Sequence, residues 1–276
     1  MGRRGFGGLA AEDATTVIAA RVSVRVQASG AHLRYWQAGT DALYVRDRVA
    51  GGSSLLRPAL RQWHQVRQAV TDSFPTPRSQ ALLATAGESA LCAGWIALDG
   101  GSLARARQLY GQARGLAAGA ANPFLSAHVL VSMSMLETEA ARTGPSRESA
   151  RQALLHAYAA AEEARYLPVQ SLHALIALRV ASAASLLGDK AAFQSGIGRA
   201  RDELARGRED SDPPEWLRFV TQTGVTGVEA RGWLNLGQPN APLPCTGPGS
   251  RTRACRRVTE SATALGSPTR YSRAVI

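Results

Sequence analysis

The sequence is short of several residue types on which particular classes of protein depend. Of its 276 residues, 6% are aromatic, three are cysteine, and a single lysine stands beside 31 arginines. Sparse cysteines in an odd number, with no CxxC pair, fit a reducing cytoplasm better than a disulfide-stapled secreted protein. With few aromatic residues, alanine and leucine must build the core, and both favour helix over strand. We therefore predict an all-α cytoplasmic protein whose core is made by close approach of small side chains.

Long apolar runs and an export signal are also missing. No apolar run approaches the roughly 20 residues that cross a bilayer, so no membrane contact is expected. Arg3 and Arg4 stand in the order of a twin-arginine signal, but Glu12 and Asp13 occupy the place of the apolar stretch that such a signal needs. Export is therefore not expected.

The net charge of +11 suggests nucleic-acid binding, but the positive charge is not spread evenly along the chain. Residues 1–67 carry ten arginines and four acidic residues, and residues 245–276 carry six and one. Residues 68–244 carry sixteen basic and sixteen acidic residues, which argues against a basic groove along the body. We expect DNA to be bound only weakly and nonspecifically, through the termini.

Candidate catalytic and metal-binding groups do not form a recognisable site. Glu162 and Glu163 are adjacent, so on a helix they point about 100° apart. The spacing of the histidines matches no metal motif. Cys92 lies in a small-residue helix and is predicted to be a core thiol. We expect no enzymatic activity, no cofactor and no metal ion.

Glycine turns recur at a nearly constant spacing. Gly101, Gly144 and Gly188 are separated by 43 and 44 residues, and Gly237 follows after 49. Apolar residues at steps of three and four flank each turn, and a period of this size is typical of stacked helical hairpins. The fourth unit stops after its turn, because prolines and glycines follow. We interpret this break as a change of reading frame or of gene end near Pro239.

The first hairpin resembles a tetratricopeptide repeat. Its matching residues are Gly94, Gly101, Ala106, Tyr110 and Ala113. In the later copies Ser149 and Phe193 replace the alanine, and both periods exceed the usual length. The resemblance implies a tetratricopeptide-like right-handed superhelix of antiparallel helix pairs over residues 53–240.

Three further segments resemble the C-terminal helical region of Xre-type helix-turn-helix transcriptional regulators from high-GC bacteria. They read DRVAGG at 47–52, AGWIALDGG at 93–101 and DPPEWL at 212–217. In that family an N-terminal domain binds DNA, and the helical array is thought to sense a peptide, a small ligand or a partner protein. The resemblance implies a regulatory helical-repeat module of this kind, linked to transcriptional regulation.

The N-terminal DNA-binding motif of that family is not visible here. Segments between Asp13 and Leu43 resemble the helix-turn-helix of insertion-sequence transposases, but too few residues separate Ala20 from Ser23 to complete a helix and turn. Residues 1–52 are thus an N-terminal extension or a degenerate helix-turn-helix, and residues 241–276 a disordered basic tail. The alternative function is a DNA-binding transcriptional regulator with a divergent N-terminal reader.

A ligand surface is expected on the first helix of each pair, at positions outside the apolar stripes. Five residues meet this condition: Trp95, Ser134, Thr138, Arg142 and Ser182. An aromatic ring, hydroxyl groups and one arginine suit a peptide or a small polar ligand.

Overall fold

The computed structural model describes residues 28–51, 54–73, 79–144, 146–207 and 213–241, and the regular structure in these ranges is helical throughout, as predicted. The helices are α1 (Gly30–Ala50), α2 (Leu56–Ser73), α3 (Ser79–Asp99), α4 (Leu103–Ala120), α5 (Pro123–Thr143), α6 (Arg147–Glu163), α7 (Gln170–Leu187), α8 (Lys190–Arg206), the 3-10 helix η1 (Glu215–Leu217) and α9 (Gln222–Asn235). The segment that resembles a recognition element, Val22–Gln27, and the predicted tail from residue 242 onward lie outside the described residues.

Each of the first three predicted glycine turns lies between the two helices of one pair. Gly101, Gly188 and Gly237 adopt φ angles of 82°, 83° and 70°, a region that favours glycine because it has no Cβ. Gly144 ends α5 with an extended φ of −135° instead. The helices α3 with α4, α5 with α6, and α7 with α8 pack as neighbours, and α9 supplies the first helix of the fourth unit. The predicted all-α array of helix pairs is confirmed.

The helix α1 packs against α3, although the sequence pattern placed residues 1–52 in an extension. The amide Nε2 of Gln62 in α2 donates to the backbone oxygen of Trp36 at 3.0 Å and to Oγ1 of Thr40 at 2.7 Å. From α3, Nε1 of Trp95 donates to Oδ2 of Asp47 at 2.7 Å. Residues 30–50 therefore form part of the array.

Small residues make room for aromatic rings in the seams between helices. A Cβ added at Gly94 would clash with the ring of Tyr110, which is 1% exposed. Ala106 and Ala113 of the same hairpin are fully buried, as the repeat pattern predicted. The same arrangement recurs where Gly232 of α9 receives the ring of Phe193. Each seam thus depends on a missing side chain on one helix and a ring from its neighbour.

Among the described residues, two helices are long and apolar enough to cross a membrane by length and composition alone. They are α3 and α7, and 78% and 67% of their most apolar stretches are buried inside the array. Both are packed between several other helices, including α5, and a helix in such a position is apolar on most of its faces. Their burial therefore accounts for their composition.

The link between α8 and α9 returns across the array. Its residues 213–220, here called the cross-segment, contain η1 and pack against α1 and α7. Pro214 precedes η1 with φ −50° and ψ 147°, so the chain enters it extended. The cross-segment thus covers part of the face that α1, α3, α5 and α7 form.

Candidate functional site

A pocket lies between the first helices of the array and the cross-segment. Its cavity volume is about 40 Å³. Four helices and the cross-segment supply its lining residues, which are Tyr44, Asp47, Arg48, Trp95, His128, Val131, Ser132, Met135, Leu175, Arg179, Glu215, Trp216 and Phe219. The pocket is therefore a product of the whole array rather than of one repeat.

Stacked rings fix the cross-segment as the far wall of the pocket. The ring of Trp216 lies parallel to the imidazole of His128, with centroids 3.4 Å apart and planes within 3°. Phe124 meets the same indole at 5.7 Å, and Phe219 stacks on Trp95 at 6.5 Å. Leu217 between them is fully buried. These contacts make the wall a packed part of the fold.

Ion pairs tie the same wall to α1. Arg48 of α1 pairs with the carboxylate of Glu215 and also donates from Nη1 to the backbone oxygen of Glu215 at 3.3 Å. Nε of Arg218 lies 2.9 Å from the other carboxylate oxygen of Glu215. Two guanidinium groups therefore neutralise Glu215, and its charge is already satisfied inside the protein.

Asp47 is the pocket carboxylate whose bonding is incomplete. The residue is 2% exposed. Its Oδ2 accepts the indole hydrogen bond of Trp95, whereas its Oδ1 is buried without a hydrogen-bond partner. Burial raises the pKa of this carboxyl group to about 6, so it is mostly ionised at neutral pH. Asp47 thus lines the pocket with one carboxylate oxygen that is buried and has no hydrogen-bond partner among the described residues.

Arg179 brings a positive charge to the pocket from the opposite end of the helix layer. It lies in α7 and is 9% exposed, and its Nη1 contacts the thioether sulfur of Met135 at 3.1 Å. A thioether is a weak acceptor. The pocket therefore presents a carboxylate from α1, a guanidinium from α7, and aromatic rings between them. In the described part of the chain, no cluster of three histidine, cysteine or acidic side chains could hold a metal ion.

The five residues predicted to share a ligand surface do not come together. Trp95 lines the pocket. Ser134 is fully buried and donates from Oγ to the backbone oxygen of Ala153 in α6 at 2.8 Å, so it lies in a helix seam and outside the pocket lining. Thr138 is 1% exposed and donates to the backbone oxygen of Ser134 at 2.8 Å. These hydroxyl groups occupy helix seams because neighbouring carbonyls satisfy them.

The other two predicted residues also lie outside the pocket lining. Arg142 pairs with Glu139 near the end of α5, and Ser182 is 5% exposed within α7. The pocket residues missed from the sequence had one local signal: Arg179 is the one arginine, lysine or acidic residue in the mainly apolar stretch 170–187. A charge at such a position has to be matched inside the fold.

Comparison with protein-family models, with curated proteins and with solved structures found no match to this chain.

Proposed function

We propose that the chain is a regulatory helical-repeat module that binds a small polar ligand in the pocket between its first helices and the cross-segment. The observation that carries the proposal is the pocket itself, in which the incompletely bonded carboxylate of Asp47 and the buried guanidinium of Arg179 lie among aromatic rings. Buried charges are costly for folding, and where they line a cleft they often serve binding.

A small ligand is favoured over a long peptide because the cross-segment already covers this face. Trp216 and Leu217 fill the space in front of α5 and α7 and are 8% and 0% exposed. The cavity of about 40 Å³ that remains admits a small group rather than a chain of side chains. A peptide or a partner protein would have to displace the cross-segment first.

The regulatory part of the proposal follows from how the pocket is assembled. A ligand that contacts both the helices and Trp216 would hold the cross-segment against the array, and the cross-segment leads directly into α9. Ligand binding would thus favour one placement of α9 by the difference in affinity between the two states. The resemblance to the sensing half of transcriptional regulators agrees with such a role.

The test is a thermal-unfolding screen of the protein against small polar metabolites, with tryptophan fluorescence as a second readout. Ser132→Phe, which fills the pocket, should abolish the rise in unfolding temperature that a bound metabolite produces. Ser126→Phe is the matched control, since Ser126 lies on the same helix, is equally half-buried and does not line the pocket. Metabolites that stabilise both variants equally would bind elsewhere and would contradict the proposal.

A further inference from the structure

We propose that the group this pocket recognises is a primary ammonium, carried on a slender chain and bound at the carboxylate of Asp47. This inference rests on the proposed function and names the chemistry of its ligand. Of the two carboxylates that line the pocket in the described part of the chain, only that of Asp47 has an oxygen without a hydrogen-bond partner.

The two pocket carboxylates differ in what already satisfies them. Glu215 holds Arg48 and Arg218. Asp47 holds one neutral donor, the indole N–H of Trp95, and its second oxygen has no hydrogen-bond partner. A buried carboxylate is stabilised most by a cation that also donates a hydrogen bond. Arg48 is engaged with Glu215, and Oδ1 of Asp47 accepts no hydrogen bond from any of the described side chains, so a cationic ligand would supply the missing donor.

The walls around Asp47 suit a cation as well. The rings of Tyr44, Trp95 and Trp216 line the same cavity. Aromatic faces attract ammonium groups, and they do so more strongly when water is excluded. Ser132 also lines the pocket, and a serine hydroxyl can accept a hydrogen bond from an ammonium group.

The size of the cavity selects a primary ammonium over a quaternary one. Its volume of about 40 Å³ holds roughly one to three water-sized groups. An –NH₃⁺ group is of that size and carries three donors, whereas a trimethylammonium group is several times larger and has none. The chain that bears the ammonium would leave past the open side of the pocket.

Arg179 favours particular chemical groups at the end of the ligand away from its ammonium. Its guanidinium lines the pocket from α7, while Asp47 projects from α1. A second positive charge on the ligand would be repelled there, and a carboxylate or a carbonyl group would be attracted. We therefore expect a monoamine with an acceptor at its far end to bind more tightly than a diamine.

The test compares five probes that share a four-carbon chain and differ in the groups at its ends, at constant ionic strength and pH 7.5. The probes are n-butylammonium, 1-butanol, butyrate, 4-aminobutyrate and 1,4-diaminobutane. Binding to the full chain is followed by tryptophan fluorescence and by unfolding temperature. Butylammonium and 4-aminobutyrate should bind, with 4-aminobutyrate tighter than the diamine, while butanol and butyrate should bind at least tenfold more weakly.

The matched variants are Asp47→Asn and Glu229→Gln. Asp47→Asn should raise the dissociation constant of butylammonium roughly 10- to 100-fold, as expected for a lost charged hydrogen bond. Glu229 is likewise a buried acid with a pKa raised by burial, but it lies in α9, pairs with Arg201 and does not line the pocket. Glu229→Gln should leave the binding unchanged.

Two further measurements keep the outcome clear. If Asp47→Asn does not fold by circular dichroism, Trp95→Phe, which removes the indole donor and keeps a ring, should still select the amine over butyrate. A tetrapeptide with a free amino terminus and its acetylated form then distinguish a peptide source of the ammonium from a small amine.

Opposite results separate the two proposals. Butyrate or butanol binding as well as the amine, or unchanged amine binding by Asp47→Asn, would overturn the ammonium assignment and leave a small-ligand pocket standing. A pocket that responds to none of these probes and to no metabolite in the screen would overturn both.

Discussion

At the scale of single residues, Asp47 is a buried carboxyl group whose hydrogen bonding is incomplete. Its carboxyl group is 2% exposed, one oxygen is unpartnered, and burial raises its pKa from 3.8 to about 6. A raised acid pKa in the folded state means that the protonated form fits the fold better. The stabilisation that the proton provides is complete below pH 4 and is lost as the pH rises through 6.

The raised pKa of Asp47 determines how the stability of the Asp47→Asn variant should depend on pH. The free energy of unfolding of the variant relative to the natural protein should increase from pH 4 to pH 7, by roughly 1–2 kcal/mol once residual solvent screening is allowed for. The charged and titratable groups near Asp47 include Tyr44 and Arg48 of α1, Cys92 and Asp99 of α3, His128 of α5, Arg179 of α7 and Glu215 of η1. They are common to both proteins and largely cancel. Urea unfolding of both at each pH measures the difference, and a difference independent of pH would show that Asp47 titrates normally.

At the scale of elements, the cross-segment decides what the array can bind. It places Trp216 on His128 and Phe219 on Trp95, so that an element between α8 and α9 completes a layer made by earlier helices. The ion pair of Arg48 with Glu215 joins residues 167 positions apart. Contacts of such long range make the face of the array a single surface.

Truncating the central ring of the cross-segment should therefore weaken the whole protein. Trp216→Ala removes a side chain that is 8% exposed and should lower the free energy of unfolding by roughly 3–5 kcal/mol, as for other buried tryptophans. Tyr166→Ala, at a ring that is 88% exposed, should change it by less than about 0.5 kcal/mol. Urea unfolding followed by circular dichroism compares them. Equal effects would mean that the cross-segment does not support the array.

The sequence could predict the helical pairs and could not predict the pocket, for a physical reason. Turns such as that at Gly188 and seams such as that of Gly94 with Tyr110 depend on residues close in the chain, and their spacing is readable. The pocket depends on where α1 and the cross-segment pack, which no local period encodes. Ser134 was predicted to lie on the ligand surface because it is polar and outside the apolar stripes. Its hydroxyl donates to a neighbouring backbone carbonyl instead, and a hydroxyl bonded in this way can be fully buried.

At the scale of the whole molecule, charge is distributed unevenly between the helical array and the chain ends. Residues 28–241 carry 22 basic and 18 acidic side chains, whereas residues 1–27 and 242–276 together carry ten and three. Seven of the eleven net positive charges therefore lie outside the array. Within it, several arginines already hold acidic partners, among them Arg107 with Glu137 and Arg201 with Glu229. The array thus has only a small excess of positive charge with which to bind phosphate groups.

DNA binding should follow that distribution, since salt-dependent affinity comes from cations that neutralise phosphates. The full chain should bind DNA without sequence preference, with a dissociation constant on the order of 10⁻⁴ to 10⁻⁶ M. A fragment of residues 28–241 should lose most of this affinity and show a smaller dependence on salt. Mobility shifts of both proteins at two salt concentrations, with specific and scrambled duplexes, make the comparison. Equal binding by the fragment would show that net charge is the wrong guide here. Salt-resistant, sequence-selective binding that the full chain shows and the fragment lacks would make the protein a DNA-binding regulator in its own right, with its reader outside residues 28–241.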